Sequence, residues 1–146
     1  MYLQLVKQIA IPNKYTKWYL NICENAQNRA NNRKDAKRIL GNTEKHHILP
    51  KSFNLGGDKD ILNFAYLSIH EHFIVHHLLT KMFSSKEFNT KMMHALTQFS
   101  MGNRKNLLSS RQIALAMTAK HAPCSEQRSS NISKSRLQTT KRECNF

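Results

Sequence analysis

Cysteine is scarce in this 146-residue chain. There are three, Cys23, Cys124 and Cys144, with no C-x-x-C pair. An odd and widely scattered set implies neither a disulfide framework nor a thiolate zinc site, and it fits a reducing cytoplasm. Acidic residues are also few, 9 against 23 Lys and Arg, for a net charge of +14. An excess of that size on a short chain is costly without a polyanionic partner, and nucleic acid is the natural one. No segment approaches the ~20 consecutive apolar residues of a membrane span. There is no sustained basic amphipathic helix to lie on a membrane surface, so no membrane partner is expected. Residues 1–15 lack the long apolar run of a signal peptide, so none is expected either. No long internal repeat is present, and the length suits one domain with an appended tail.

Histidine, by contrast, is concentrated. Six of the eight histidines lie within residues 44–83, as His46-His47 and then His70, His72, His76 and His77. Ser68 and Glu71 have the spacing of a capping box, which predicts a helix from Ile69. The apolar residues that follow, from Phe73 to Phe83, run nearly all round the cylinder and predict a mostly buried helix. His72 and His76 are four apart and share a face, the spacing that lets two imidazoles meet one ion. His70 and His77 fall on another stripe, with Lys81, and read as surface or phosphate-facing residues. Residues 45–49 read as a strand ended by Pro50 and residues 63–67 as its partner. An irregular loop containing Gly56-Gly57-Asp58 joins them. Neighbouring strand residues diverge, so His46 and His47 should have different roles, one on the ion and one free for proton transfer.

In this order, His46-His47, a Gly-Gly loop, Asn63 and Glu71-His72-x-x-x-His76 resemble the HNH endonucleases. The phrases His-His-Ile-Leu-Pro-Lys-Ser and Glu-His-Phe-Ile-Val-His are similar to free-standing phage homing endonucleases of that class. The resemblance implies a mostly helical α+β fold built on a ββα-metal (His-Me finger) core with flanking helices. It also implies hydrolysis of phosphodiesters in double-stranded DNA, and the cytoplasm of a bacterial host as the setting. His47 would be the general base, Asn63 would orient it through its imidazole or its backbone, and His46, His72 and His76 would hold one divalent ion. Three imidazoles suit Zn, Ni, Co or Mn better than Ca, and Mg remains usable where it is abundant. The family often carries Arg before the Glu-His pair, where this chain has His70. The absence of cysteine from the stretch favours a catalytic site over a structural zinc site, which usually closes with four protein ligands. The rival readings are a zinc-stabilised DNA-binding protein without cleavage, and a nonspecific toxin or defence DNase.

The rest of the chain divides around this stretch. Within residues 1–43, the first eleven suggest a strand or extended arm. Tyr15, Trp18, Tyr19, Ile22 and Ala26 then predict a helix with a core-packing aromatic stripe. Residues 29–38 form a basic linker with five basic side chains and one acidic. Arg33, Lys34, Lys37 and Arg38 there, with Lys51 and His70, are the candidate nucleic-acid contacts. Residues 84–123 read as a helical extension, with a helix capped at Ser84-Ser85 and stopped by Gly102-Asn103. Its stripe is Phe88, Met92, Leu96 and Phe99, and a second helix starts at Ser109-Ser110 and runs through Lys120 to a stop at residues 121–123. Residues 124–146 are a basic, Ser-rich tail. Ser125-Glu126 and residues 132–135 resemble the modular DNA-binding repeats that follow many phage nuclease cores.

The charge pattern yields a first expectation. DNA affinity should fall steeply with salt, because each Lys or Arg on a phosphate releases counterions. Neutralising Arg33, Lys34, Lys37 and Arg38 together should weaken binding and flatten the salt slope. An unchanged slope in a filter-binding or anisotropy titration would place this run outside the interface.

Overall fold

The computed structural model describes residues 1–101 and 106–119. Among them the architecture is mostly helical α+β: six α-helices surround one two-stranded antiparallel sheet. The expected stop at Gly102-Asn103 and the basic tail from Cys124 lie outside the described residues, as does Lys120.

The chain opens with α1 (Tyr2–Ile9), where an extended arm was expected. Tyr2 and Val6, one helical turn apart, are both buried, and this packing decides the conformation of a segment too short to be helical alone. Next comes α2 (Lys14–Arg29), capped by the Asn13 side chain, which accepts from the Thr16 amide. Its buried face is Thr16, Tyr19, Cys23 and Ala26. Trp18, expected in that stripe, is instead half exposed at 50%, with the Lys14 ammonium 5.7 Å from its ring centre.

The basic linker contains a further helix, α3 (Arg33–Leu40), capped by Asn32 on the Asp35 amide and ended by Gly41 at φ +74°. Only Ala36 of this helix is buried, so its sequence carries no apolar period by which it could be read. The strands are β1 (Thr43–His47) and β2 (Phe64–Ser68), with His46 opposite Ala65 and His47 opposite Phe64. Strand β1 lies two residues ahead of its expected span. Ile48 and Leu49 leave the ladder and are held by Asn63: its carbonyl accepts from the Ile48 amide, and its side chain brackets Leu49.

Helix α4 (Ile69–Leu79) begins at the expected capping box. Ser68 Oγ accepts from the Glu71 amide and Glu71 Oε2 accepts from the Ser68 amide, an exchange worth about 1 kcal/mol. Arg29, at the end of α2, grips the same carboxylate with two N–H bonds of 2.8 and 3.0 Å and donates a third to the Tyr66 carbonyl. Burial alone would raise the Glu71 pKa, but Arg29 and the Ser68 amide together hold it below the ordinary carboxylate range. Helix α4 is mostly buried as expected, Ile74 being the exposed apolar residue. Its far end is tied to the start of α2, where Ile11 N–H donates to the Met82 carbonyl and Asn13 to that of Lys81.

Helix α5 (Lys86–Thr97) is capped by Ser85 and runs into a 3-10 turn, Gln98–Ser100. Helix α6 (Ser110–Thr118) follows, with a capping box between Ser109 and Gln112. Two apolar clusters result. The larger joins α1, α2, residues 48–53, β2 and the end of α4 with Met92. The smaller joins Ile69, Phe73, Leu96 and Phe99 with Leu108, Ala116 and Ala119. No helix among the described residues is long and apolar enough to cross a membrane.

The loop between the strands is fastened from both sides. Phe53 stacks on Phe88 at 4.0 Å between ring centres, and Tyr2 donates to Asp60 at 2.8 Å. At Gly57 the φ is +78°, and an added Cβ would come within 2.5 Å of the Tyr2 ring. Gly57→Ala therefore combines backbone strain with a clash, and should lower stability by about 1–3 kcal/mol. Denaturant melts of Gly57→Ala with and without Tyr2→Ala check this: the clash, but not the strain, should be relieved in the double variant.

Candidate metal centre and nucleic-acid interface

Strand alternation places His46 and His47 on opposite faces of the sheet, as their adjacency predicts. His46 shares its face with Glu44, Ala65 and Leu67 and is buried, while His47 shares its face with Lys45 and Phe64 and is partly exposed. The buried face meets α4. There His46, His72 and His76 come together, each offering a ring nitrogen, with the three atoms within 4.8 Å of one another. The ring centres of His46 lie 5.2 Å from those of both His72 and His76. Phe99 forms an apolar wall, 5.2 Å from His72 and 5.4 Å from His76.

Two of the three rings have oriented hydrogens. Glu44 Oε2 lies 2.6 Å from His72 Nδ1 and accepts its hydrogen, which leaves the lone pair of His72 on Nε2. That Nε2 lies 3.1 Å from His76 Nε2. Two ring nitrogens at this distance need a hydrogen between them or an ion that both can ligate. On His46, Nε2 lies 2.9 Å from the Tyr19 hydroxyl, which itself donates to the Ile48 carbonyl at 2.6 Å. Burial first, and then His76, His72 and His47, push the His46 pKa well below the ordinary histidine value, so the ring is neutral and able to ligate. The donor set, three converging imidazoles with one carboxylate behind, therefore fits a divalent ion of the Zn, Ni, Co or Mn type.

The other candidate residues stand around this cluster. His47 Nε2 is 3.1 Å from the Asp58 carbonyl. A carbonyl only accepts, so Nε2 carries the hydrogen and Nδ1 the lone pair. Asn63 is fully buried, and among the described residues its side chain forms no hydrogen bond to His47; its carbonyl meets the next amide, that of Ile48. Its side chain accepts from Leu49 N–H at 2.7 Å and donates to the Leu49 and Gly57 carbonyls. It braces the residues after His47 and the carbonyl next to the one that His47 uses. His77 is half-buried; burial and then Lys81 lower its pKa. His70 is exposed, with Nδ1 3.1 Å from Gln112 Oε1 on α6.

Arg33, Lys34 and Lys37 line a cleft of about 710 Å³ with Asn42, Thr43, Glu44, Ile69 and Leu107. The cleft reaches Glu44, and so the back of His72. Arg38 is outside it, exposed and 3.5 Å from Asp35. Lys51 lies 3.7 Å from the Asp58 carboxylate, beside the loop that holds His47. Glu44 and Tyr19 are the residues that sequence reasoning missed. Glu44 sits two positions before His46 on the same strand face, a signal that was available, whereas Tyr19 reads only as one member of an aromatic stripe.

The chain is similar to phage mobile endonucleases. It is 32% identical over 71 residues to a phage T4 protein named "Probable mobile endonuclease C", covering 49% of this chain and 33% of that protein. It is 40% identical over 68 residues to "Probable mobile endonuclease D" of the same phage, covering 47% of this chain and 24% of that protein. The chain thus spans a third or less of the length of either curated relative. The resemblance to free-standing phage homing endonucleases is borne out by these two likenesses. No protein-family model matches the chain, and no solved structure matches it.

The Glu44 contact generates a prediction. Glu44→Ala should lower zinc affinity about 10–100-fold, the usual cost of removing a carboxylate behind a ligating histidine. Competition with a chromophoric chelator measures it, and unchanged affinity would detach Glu44 from the metal centre.

Proposed function

We propose that this chain is a metal-dependent endonuclease of the HNH type that hydrolyses phosphodiesters in double-stranded DNA, and that it belongs to the mobile, homing class of phage enzymes. The observation that carries this reading is the meeting of three imidazoles on β1 and α4, with a fourth, His47, at the next strand position and its Nδ1 without a hydrogen bond among the described residues. The names of the two phage relatives support the substrate and the biological class.

His46, His72 and His76 would hold the ion, with Glu44 fixing His72. Once bound, a divalent ion supplies a positive charge that stabilises the phosphate oxygens and the departing 3′-oxygen. The chain's own residues do the rest. His47 Nδ1 takes the proton of a water, and the water oxygen attacks phosphorus. The Asp58 carbonyl holds His47 Nε2–H, which keeps the base in the tautomer that can accept a proton at Nδ1 and steadies the imidazolium that forms. Asn63 serves this step at one remove, by bracing Leu49 and Gly57 on either side of the His47 environment. Arg33, Lys34 and Lys37 in the cleft, with Arg38 and His70, and Lys51 beside the His47 loop, position phosphates flanking the cut.

Plasmid nicking by the purified chain, abolished by chelator and restored by Mn, Zn, Ni or Mg, is the direct test. DNA binding that persists without any nicking would identify a zinc-stabilised binding protein instead. Within the enzyme, His47→Ala should cut the nicking rate ~10²-fold or more, the scale of general-base loss. Metal affinity should be retained, because His47 is not among the three converging residues. His72→Ala should lose both metal affinity and stability, whereas His77→Ala should bind metal as the unmodified chain does.

A further inference from the structure

Tyr19 stands outside every motif in the sequence, yet among the described residues it is the largest of the fully buried side chains, with no exposed surface. A hydroxyl buried this deeply must spend its hydrogen and its lone pairs on specific partners. Its hydrogen goes to the Ile48 carbonyl at 2.6 Å. Having one hydrogen and having given it away, the oxygen can only accept from His46 Nε2, 2.9 Å distant. His46 Nε2 therefore carries the ring hydrogen, and Nδ1 is the nitrogen left with a lone pair. The ring is held edge-on to Tyr19, with ring centres 5.9 Å apart and planes at 72°.

We infer that Tyr19 is a positioning residue for the metal centre: it fixes His46 as the Nε2–H tautomer, presents Nδ1 as its ligating atom, and pins the strand at positions 46 and 48 on either side of His47. This inference rests on the metal-centre reading above. Helix α2 thereby does for His46 what Glu44 does for His72, and the two ligating rings use opposite nitrogens, Nδ1 on His46 and Nε2 on His72. The partners differ in kind. A carboxylate raises the basicity of the ring it holds, whereas a neutral hydroxyl that accepts a hydrogen orients the ring with little added charge.

The experiment uses the full chain and cobalt(II) as probe. The unmodified chain should bind cobalt(II) and develop visible ligand-field absorption. Tyr19→Phe, which keeps the ring and removes only the oxygen, should bind 10–100-fold more weakly, the range for loss of a group behind a ligand. Its ligand-field bands should shift, and nicking should fall at subsaturating metal. Val6→Ala, a core truncation in α1, should destabilise the fold and leave cobalt affinity unchanged. If Tyr19→Phe binds cobalt as the unmodified chain does, or if Val6→Ala weakens binding as much, the assignment of Tyr19 is overturned while the metal centre stands. If the unmodified chain binds no cobalt or zinc, the metal-centre reading itself fails. A second measurement does not depend on the variant folding. Long-range nitrogen-15 correlation on the metal-free chain, with the His46 signals identified by His46→Ala, should show hydrogen on Nε2. Finding it on Nδ1 overturns the inference directly.

Discussion

Three imidazoles crowded against an apolar wall cannot all be charged, and the fold is arranged so that they need not be. Burial and mutual repulsion hold His46 neutral. Neutrality leaves that ring one hydrogen to place, and hydrogen-bond partners from neighbouring elements meet both His46 and His72. Strand β1 brings Glu44 to His72, and α2 brings Tyr19 to His46. The helix that carries His72 and His76 is itself fixed at its first turn, where Arg29 of α2 binds the carboxylate that closes the capping box. Helix α2 therefore acts twice on the same site, once through a ring and once through the start of α4. A helix with little motif content thus bears on the candidate site from two directions.

The loop between the strands follows a separate logic. Its backbone, more than its side chains, faces the candidate base: the Asp58 carbonyl meets His47, and the Gly57 carbonyl meets Asn63. Asn63, with no solvent contact, spends its side-chain amide on three backbone groups, which is how one buried residue can set the path of two segments. Tyr2 and the Phe53–Phe88 stack fasten the same loop from α1 and α5. Elements far apart in sequence converge here because a loop with so much exposed backbone has little apolar area of its own to hold it.

What could be read from the residues alone was the part written at short range. Ser68 and Glu71 announce the start of α4, and the four-residue interval of His72 and His76 sets them on one face, because helical geometry is local. The divergence of His46 and His47 is equally local. The remaining features depend on tertiary contacts. Helix α1 is helical because Tyr2 and Val6 find partners in the core, and α3 is helical with almost no buried surface to betray it. Two apolar residues after His47 looked like strand, yet Asn63 takes them out of the ladder. Tyr19 looked like packing because an aromatic stripe gives no hint that one hydroxyl in it meets a histidine 27 positions away.

The same wall of α2 holds one sulfur. Cys23 is fully buried one turn from Tyr19, and burial pushes its thiol up to about 12. At neutral pH only about one thiol in 10⁵ is then a thiolate, the form that coordinates metals and reacts with oxidants. A soft donor one helical turn from Tyr19 is in this way kept chemically silent. Among the described residues the three converging donors are all nitrogens, a set that gives thiophilic ions such as cadmium and copper(I) no special hold.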